Sequence, residues 1–479
     1  MGQIAPIVVC LSKTSRRFQM QSKPPSTCVG NCQASTLAAA IFLAFALAQA
    51  AYTQSAPEKG LRASSATVPQ SDASKTAPCN VGSPGALHCK GPYPMLSKGH
   101  PVTWWFVFKF NTEAFPGCGS GFTRACPFGG TPQNYSSFGQ QYAYASSDDP
   151  ELQKGSGCTG DTSADPVGAT FDEVYNGTFH FLIWNDQFYD DPAIEGCSQE
   201  CGSPWGHSKG MLVWDDTGEG FVMQVSTPSW PSAGSAKSPR KSDGNSLGCT
   251  KDNNVEVSQH FFSLHLTKDD VVRVLQALGN ASVATDPTNA QIVSNGGPAD
   301  IQQLVSKLGV KSTSEAYSST TLSTGVQLLS KPSRLHVPPW QMVSAILGGI
   351  ALRTATWWAA PEIYSTSGAT AVTCWDASLT SPGPVQIATT GTWEGKTLGL
   401  TGGLGDNFNH AKLGVSTAGA NRYTIFGDMN QQGAVAGADC SSSQNGRGGL
   451  FYVVINPKLS GSVSSLLNGA AAPEDAPAK

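Results

Sequence analysis

The chain lacks a surplus of basic residues. Its 479 residues include 30 Lys and Arg against 34 Asp and Glu, so its formal net charge is −4 with histidine neutral. Four of the basic residues and none of the acidic ones lie in residues 1–50, and without that segment the charge is −8. A protein that holds nucleic acid through a general basic surface is excluded, because such binding needs clustered cations. Protonation of the 8 histidines would bring the charge near zero, so we expect local anion binding that strengthens as pH falls.

A membrane-length apolar run is also missing near the N-terminus. The stretch from Leu37 to Leu47 is too short to span a bilayer, which takes about 20 apolar residues. It follows Arg16, Arg17 and Lys23 and precedes Ala48-Gln49-Ala50, a pattern typical of a secretory signal peptide. We predict that residues 1–50 are a signal peptide and that the protein is secreted. This means extracellular or periplasmic in a bacterium, and lysosomal or in the secretory pathway in a eukaryote. An uncleaved anchor is the alternative.

Recognisable metal ligands are scarce. Cys197 and Cys201 are spaced like half a zinc site, but no second pair follows at ligand spacing, and no carboxylate cluster offers a two-metal centre. We therefore expect no metal and no cofactor. Ten of the 13 cysteines follow residue 50, an even number that predicts disulfides in an exported protein. Connectivity stays open; the nearby candidate pairs are Cys79–Cys89, Cys118–Cys126 and Cys197–Cys201.

The chain does contain two matched hairpin patterns, each headed by a His-x-Lys tripeptide. His207-Ser208-Lys209 heads one within residues 204–231, and His410-Ala411-Lys412 heads the other within residues 408–432. Each segment predicts a strand, a turn and a second strand. Residues two apart on a strand share a face, so each lysine should lie beside its histidine. An imidazole can attack phosphorus or donate a proton, and a lysine can hold a phosphate oxygen.

A third copy, His88-Cys89-Lys90, indicates that the tripeptide alone is a weak signal. Composition predicts about 0.3 chance matches in a chain of this make-up. This copy precedes Gly91-Pro92-Tyr93-Pro94, which cannot form a strand, so we interpret it as unrelated to the other two. The two remaining hairpins lie about 200 residues apart, as expected of an enzyme with two similar halves and one shared site.

Several segments together resemble the deoxyribonuclease II family. They are HPVTWWFVFK (100–109), FLIWNDQ (181–187), GHSKGMLVWD with GFVMQVSTPSWP (206–231), PWQMVSAILGG (339–349), and NHAKLGVS with GDMNQQ (409–432). The resemblance covers about residues 95–455. It implies an α/β, phospholipase D-like fold, in which two pseudo-symmetric halves with mixed β-sheets flanked by helices share one active site. We place a disordered linker at 51–95, an N-terminal catalytic half at 96–266, a C-terminal catalytic half at 267–456 and a flexible tail at 457–479.

The resemblance also implies a function, a metal-independent acid endodeoxyribonuclease that leaves 3′-phosphate and 5′-hydroxyl ends. DNA is the expected partner, no protein partner is evident, a homodimer is left open, and no membrane is expected. Two alternatives stay open: a phospholipase D-like lipid phosphodiesterase, and a catalytically weak secreted DNA-binding protein.

Five residues are expected to carry the chemistry. One of His207 and His410 would attack phosphorus to form a phosphohistidine, and the other would protonate the leaving oxygen. Lys209 and Lys412 would neutralise the non-bridging oxygens, and Asn430 would donate a hydrogen bond to the phosphoryl group.

Supporting roles are assigned more broadly. Three carboxylates could orient an imidazole or a lysine: Asp186, Asp215 and Asp428. For Asp215 and Asp428, hydrogen bonding within a turn or at a strand end is an equal interpretation. Ser229 stands where the family's first unit has asparagine. Lys109 ends the first strand, either facing the cleft or extending to the surface. Trp205, beside His207, is the best base-stacking candidate.

The motif comparison generates a mutational prediction. His207→Ala and His410→Ala should each remove nearly all phosphodiesterase activity, and the double variant should be hardly worse, because residues that act as one catalytic unit are non-additive. His88→Ala should be close to neutral. Cleavage rates of a plasmid substrate measure all four variants, and a His88→Ala loss as large as the others would contradict the assignment.

Overall fold

The structure is a computed structural model of the chain. It describes residues 80–82, 86–88, 91–116, 141–160, 162–188, 193–198, 200–228 and 256–474, without the side chains of residues 80–82 and 86–88 and of Tyr175 and Asn176. All of these residues belong to one compact unit, Pro69–Lys479. The predicted signal peptide, most of the predicted linker and Ser229 lie outside the described residues.

Strands outnumber helices in the described chain. In chain order the strands are β1 (Asn80–Gly82), β2 (Ala86–His88), β3 (Met95–Ser97), β4 (His100–Pro101), β5 (Trp104–Lys109), β6 (Tyr142–Ser146), β7 (Gln153–Lys154), β8 (His180–Asn185), β9 (Lys209–Trp214), β10 (Gly220–Val225), β11 (Gln259–Leu266), β12 (Val293–Ser294), β13 (Ser318–Thr321), β14 (Gln327–Lys331), β15 (Leu352–Ala355), β16 (Val385–Ile387), β17 (Thr390–Trp393), β18 (Lys396–Gly399), β19 (Leu413–Ser416), β20 (Tyr423–Gly427) and β21 (Gly449–Ile455). The helices are α1 (Pro166–Asn176), α2 (Lys268–Asn280), α3 (Ala299–Val305), α4 (Pro339–Ile346) and α5 (Pro457–Leu466), with a 3-10 turn at Ser443–Gly446.

Two large sheets organise these strands. The first has the order β12-β8-β9-β10-β11-β5-β6-β7, and the second has the order β13-β14-β21-β20-β19-β15-β16. All strand pairs of the first sheet are antiparallel, so the expectation of a mixed sheet is wrong there. The second sheet is mixed, because β15 and β16 run parallel while its other pairs are antiparallel. The α/β class holds.

Aromatic side chains join the two sheets in one hydrophobic core. Phe262 of β11 stacks on Phe426 of β20, with ring centroids 4.3 Å apart. Phe106 of β5 packs on the same ring at 4.7 Å, and Tyr452 of β21 lies 5.7 Å from Phe262. These rings are almost completely buried. Because rings of this size contribute a large share of core burial, the contact sets how the two sheets lie against each other.

Local signals account for the helix ends. A threonine followed by two aspartates in the first turn, Asp269 and Asp270, is a local pattern that predicts a helix start, and Thr267 caps α2 and forms a capping box with Asp270. At α4 two prolines begin the helix, and Gly348 and Gly349 follow its end with φ of +88° and +72°, a conformation that glycine adopts at no steric cost. The helix therefore ends at Ile346, and strand β15 begins at Leu352.

Three of the predicted boundaries need correction. The linker is not disordered at its end, because Tyr93 is buried and its ring stacks on His265 at 4.1 Å. The first half does not end at residue 266, since β12 pairs with β8 in the first sheet. The tail is not flexible through residue 474, because α5 buries Leu459, Val463 and Leu466 and residues after it form β-bridges.

Disulfides occur at two described pairs. Cys197 and Cys201 are bonded, one of the candidate pairs, and Cys374 is bonded to Cys440 across 66 residues of sequence, which spacing did not predict. Cys158 is also disulfide-bonded. The other two candidate pairs lie outside the described residues. Within the described chain, no group of His, Cys, Asp and Glu is arranged to hold a metal, and no helix has the length and hydropathy to cross a membrane.

A partly buried carboxyl in this fold predicts a measurable pH effect. Burial raises the pKa of Glu173 to about 7, against a hydrogen bond from the Tyr93 backbone N–H that lowers it. Because the folded-state pKa lies above the unfolded one, this group's contribution to stability is full below pH 4.5 and is lost as pH rises through 7. Glu173→Gln, neutral at every pH, should be more stable than the wild type by about 1–2 kcal/mol at pH 8.

The measurement is the free energy of unfolding in urea at pH 8 and pH 5 for both proteins. The difference between them should nearly vanish at pH 5. An equal difference at both pH values would show that Glu173 is already charged in the folded protein across this range.

Candidate active site

The two histidines of the matched hairpins are held by carbonyl groups of the opposite sheet. His207 precedes β9, and its Nδ1 lies 2.7 Å from the backbone oxygen of Asp428, which follows β20. His410 precedes β19, and its Nδ1 lies 2.7 Å from the backbone oxygen of Ser226, which follows β10. A carbonyl only accepts hydrogen bonds, so each Nδ1 carries the proton and each Nε2 keeps a lone pair.

The backbone of each histidine is held in the same crossed manner. The N–H of His207 donates to the carbonyl of Gly448 at 2.8 Å, just before β21. The N–H of His410 donates to the carbonyl of Ser258 at 2.7 Å, just before β11. Position and ring orientation of each imidazole therefore depend on the packing of the two sheets.

Both histidines line one cleft of about 510 Å³. Its other walls include Asn430, Trp357, Leu404 and Arg447. The two histidine residues are only 6% and 5% exposed, so they lie at the floor of the cleft and not at its rim. The structure thus brings the two matched His-x-Lys units together.

The two lysines are buried in unlike surroundings. Nζ of Lys209 lies 2.6 Å from Oδ1 of Asp186, and both side chains are almost fully buried. Nζ of Lys412 donates to the backbone oxygen of His410 at 2.5 Å and lies 3.0 Å from its Nδ1. In the described part of the chain, no carboxylate pairs with Lys412. Burial, and then the charge of Lys209, lower the pKa of Lys412 well below its ordinary value.

Arg447 completes an ion triad that sequence reasoning missed. Its Nη2 donates to Oδ2 of Asp186 at 2.8 Å and to the carbonyls of Cys201 at 2.5 Å and Gly206 at 3.1 Å. Asp186 therefore lies between two cations, and they hold the pKa of its carboxyl far below the usual range against the opposing effect of burial. The residues ahead of His207 are tied to the second sheet through this arginine. A single arginine before a strand carries no local pattern, so no sequence signal marked it.

A chain of hydrogen bonds runs from Lys412 through two residues of the first sheet to Asp428. His260 Nδ1 accepts from the Lys412 N–H at 3.2 Å, and His260 Nε2 lies 3.3 Å from Oε1 of Gln224. Nε2 of Gln224 donates to Oδ1 of Asp428 at 2.9 Å. His260 is fully buried and connects the two hairpins. Polar Gln224 within the apolar strand GFVMQV was the available signal.

Comparison with known proteins agrees with this arrangement. The deoxyribonuclease II family model matches residues 88–470, most of the chain. The chain belongs to the deoxyribonuclease II family. The protein is accordingly a hydrolase that acts as an endodeoxyribonuclease. No curated protein matches the chain.

Asn430 lines the cleft that contains the two histidines. The residue is 5% exposed. Nδ2 donates to Oε1 of Gln432 at 2.9 Å, and Gln432 is itself fixed by donating to the carbonyls of Ala359 and Ala360. Oδ1 of Asn430 is buried with no hydrogen-bond partner among the described residues. A buried amide with unused capacity at a cleft floor is suited to a polar substrate.

Three expected residues lie elsewhere. Asp215 is a turn residue, because its Oδ1 accepts from the backbone N–H of Thr217 and Gly218 at the far end of β9. Lys109 is fully buried and donates to the carbonyls of Phe110 and Val257, so the surface alternative is wrong, and it is not among the residues that line the cleft. Trp205 is only 5% exposed, so it is not a base-stacking surface.

Burial dominates the protonation of the site. It lowers the pKa of both His207 and His410 well below the ordinary value. Asp186 partly opposes this for His207, whereas the lysines add to it for His410. Burial raises the pKa of Asp428 to about 7. At neutral pH both imidazoles are therefore uncharged, and protons enter the site as the medium becomes acidic.

The ion triad predicts the effect of removing its centre. Asp186→Asn leaves Lys209 and Arg447 buried without their counter-charge, and breaking a buried pair in this way costs about 3–5 kcal/mol. We expect a loss of stability in this range, and at least a tenfold loss of nuclease activity at temperatures where the variant is folded. Asp300→Asn is the matched control, since Asp300 pairs with Lys268 on the surface.

Urea unfolding and plasmid cleavage measure the two effects. Equal stability losses for Asp186→Asn and Asp300→Asn would contradict the assignment of Asp186 as the partner of two buried cations.

Proposed function

We propose that the protein is a metal-independent acid endodeoxyribonuclease that acts through a phosphohistidine and leaves 3′-phosphate and 5′-hydroxyl ends. One observation carries the proposal: His207 and His410 line one cleft, and each donates Nδ1–H to a carbonyl of the opposite sheet. The Nε2 of each imidazole is therefore free of this contact and could act in the cleft as the nucleophile or as the proton donor and acceptor.

We also propose that the two sheets are pseudo-symmetric halves of a phospholipase D-like fold. Five strands support this, because they have the same spatial order and the same order along the chain. They are β5-β11-β10-β9-β8 in the first sheet and β14-β21-β20-β19-β15 in the second. Every neighbouring pair in both sets is antiparallel. The histidine contacts follow the same symmetry, because His207 binds the carbonyl after the second strand of the second hairpin and His410 binds the carbonyl after the second strand of the first.

In the first step, one Nε2 lone pair forms a bond to phosphorus while the bond from phosphorus to O5′ breaks. The electron pair of that bond goes to O5′, which takes a proton from the other imidazole and leaves as a 5′-hydroxyl. In the second step, a water oxygen attacks phosphorus and gives a proton to that second imidazole. The nitrogen–phosphorus bond breaks, and the phosphate remains on O3′.

Buried positive charge beside the histidines would stabilise both steps, although neither lysine is among the residues that line the cleft. Lys209 and Lys412 flank the histidines, and their ammonium groups would neutralise the non-bridging oxygens as charge develops. Asn430, with an unused Nδ2 hydrogen, would donate to the phosphoryl group. Asp186 keeps Lys209 in place, because its other oxygen is held by Arg447.

The acidic optimum follows from the lowered histidine pKa values. The imidazole that protonates O5′ must carry a second proton, and a lowered pKa means that this form becomes populated only as pH falls. Activity should rise from neutral toward acidic pH and fall again when the attacking imidazole is protonated too. DNA is the proposed partner, and the disulfides fit export to an oxidising compartment.

A plasmid-nicking assay tests the proposal. The full chain, expressed in an oxidising compartment, should nick supercoiled DNA at pH 5 in EDTA and do so at least tenfold faster than at pH 7.5. The new ends should accept phosphate from polynucleotide kinase without prior phosphatase treatment, because they carry 5′-hydroxyls. His207→Ala is the inactive control. Activity lost in EDTA and restored by Mg²⁺ would contradict the mechanism, and 5′-phosphate ends would contradict the bond assignment.

A further inference from the structure

One exposed leucine lies at the mouth of the active-site cleft. Among the described residues, the exposed large hydrophobic side chains are Val310, Leu404 and Ile455, at 63%, 83% and 54%. Leu404 is the most exposed of these, and it alone lines the cleft that contains His207 and His410. Exposure of a large apolar side chain beside a polar site indicates an apolar contact that forms on binding.

The loop holds this leucine outward by fixed contacts on both of its arms. The N–H of Gly402 donates to the carbonyl of Trp358 at 3.0 Å, and the carbonyl of Asp406 accepts from the Glu113 N–H at 3.0 Å. Gly403 packs so closely on Phe408 that an added Cβ would lie 2.4 Å from its ring. Only the turn between these anchors projects, so the exposure of Leu404 is a built feature of the loop.

A second apolar surface lies next to one histidine. Trp357 is half-buried, lines the same cleft, and meets the His410 ring edge to face at 4.9 Å between centroids. Gly402 packs against the indole, since an added Cβ would lie 2.8 Å from it. We call Trp357 and Leu404 the apolar rim. It places an aromatic face and an aliphatic tip beside the proposed phosphate site.

A rim of this kind has a use in a nuclease whose two histidines are buried. The cleft measures about 510 Å³, within the range of small-ligand pockets. His207 and His410 are only 6% and 5% exposed, so a phosphate has to come close to the cleft wall to reach them, and bending a duplex toward them would unstack the neighbouring bases. Proteins that bend DNA insert leucine or phenylalanine between base steps, and exposed aromatic rings accept unstacked bases.

We propose that the apolar rim contacts the nucleobases beside the scissile phosphate. Leu404 enters the base step and opens it, and Trp357 stacks on the base that is displaced toward His410. This inference rests on the proposed nuclease function and adds a substrate contact to it. The rim would make duplex DNA a substrate, whereas single-stranded DNA, already unstacked, would need Leu404 much less.

The first test compares cleavage rates on duplex and single-stranded oligonucleotides of the same sequence at pH 5. Leu404→Ala should lower the duplex-to-single-strand rate ratio about tenfold. Leu404→Gln, which keeps the side-chain length without the apolar tip, should behave in the same way. Val310→Ala is the matched control, because it removes another exposed large apolar side chain, one that does not line the cleft. Its ratio should equal that of the wild type.

The second test detects base separation without cleavage. Duplexes that carry 2-aminopurine at successive positions are mixed with the His207→Ala variant, and fluorescence rises when the probe unstacks. We expect a rise of at least twofold, which Leu404→Ala in the same background should abolish and Val310→Ala should preserve.

The outcomes separate this inference from the proposed function. Nicking by the wild type with an unchanged rate ratio and an unchanged fluorescence signal in the Leu404 variants would overturn the apolar rim alone. A wild type that does not nick DNA would overturn both. If Leu404→Ala instead reduced hydrolysis of phosphatidylcholine vesicles and left DNA cleavage intact, the rim would be a lipid contact and the proposal would be wrong.

Discussion

Two hydrogen bonds from histidine to backbone carbonyl, exchanged between the sheets, hold the active site together. The acceptors are Ser226 and Asp428, each the first residue after the second strand of a hairpin. A shift of one sheet against the other by a single residue would break both bonds and turn both imidazoles. The aromatic contact between Phe262 and Phe426 is therefore part of the catalytic arrangement, because it sets how the sheets lie against each other.

The charges at the site are retained at a cost in stability. Lys209, Asp186 and Arg447 are almost fully buried, and buried ion groups of this kind stabilise a fold no better than apolar residues of similar size. Their value is positional. Asp186 binds the lysine of the first hairpin on one oxygen and an arginine of the second half on the other. That arginine also binds the backbone carbonyls of Cys201 and Gly206, and Gly206 is the residue immediately before His207.

The sequence predicted much of the fold and part of the site. The two hairpins, the Thr267 cap and the Cys197–Cys201 disulfide follow from local patterns, and the structure has all three. The helix α5 was missed although its signal was present, since Leu459, Val463 and Leu466 recur at helical spacing. Serine and glycine between them concealed it. Asp215 was considered as a carboxylate that could orient an imidazole or a lysine, with a turn role as the equal alternative, but it follows β9 at the opposite end from Lys209.

The amino-acid sequence by itself determined the two hairpins and the lysine two residues after each histidine, because strand and turn patterns depend only on neighbours. The expectation that each pair shares a strand face is wrong, since both histidines and Lys412 precede their strands and only Lys209 lies in one. The tertiary structure alone decided which of the three candidate carboxylates pairs with a lysine, namely Asp186 with Lys209. Residues that complete the site are about 200 positions or more distant in the chain, such as Arg447 from Asp186. The carbonyls that orient the imidazoles carry no sequence signature, because every residue has one, and only the packing of the two sheets selects them.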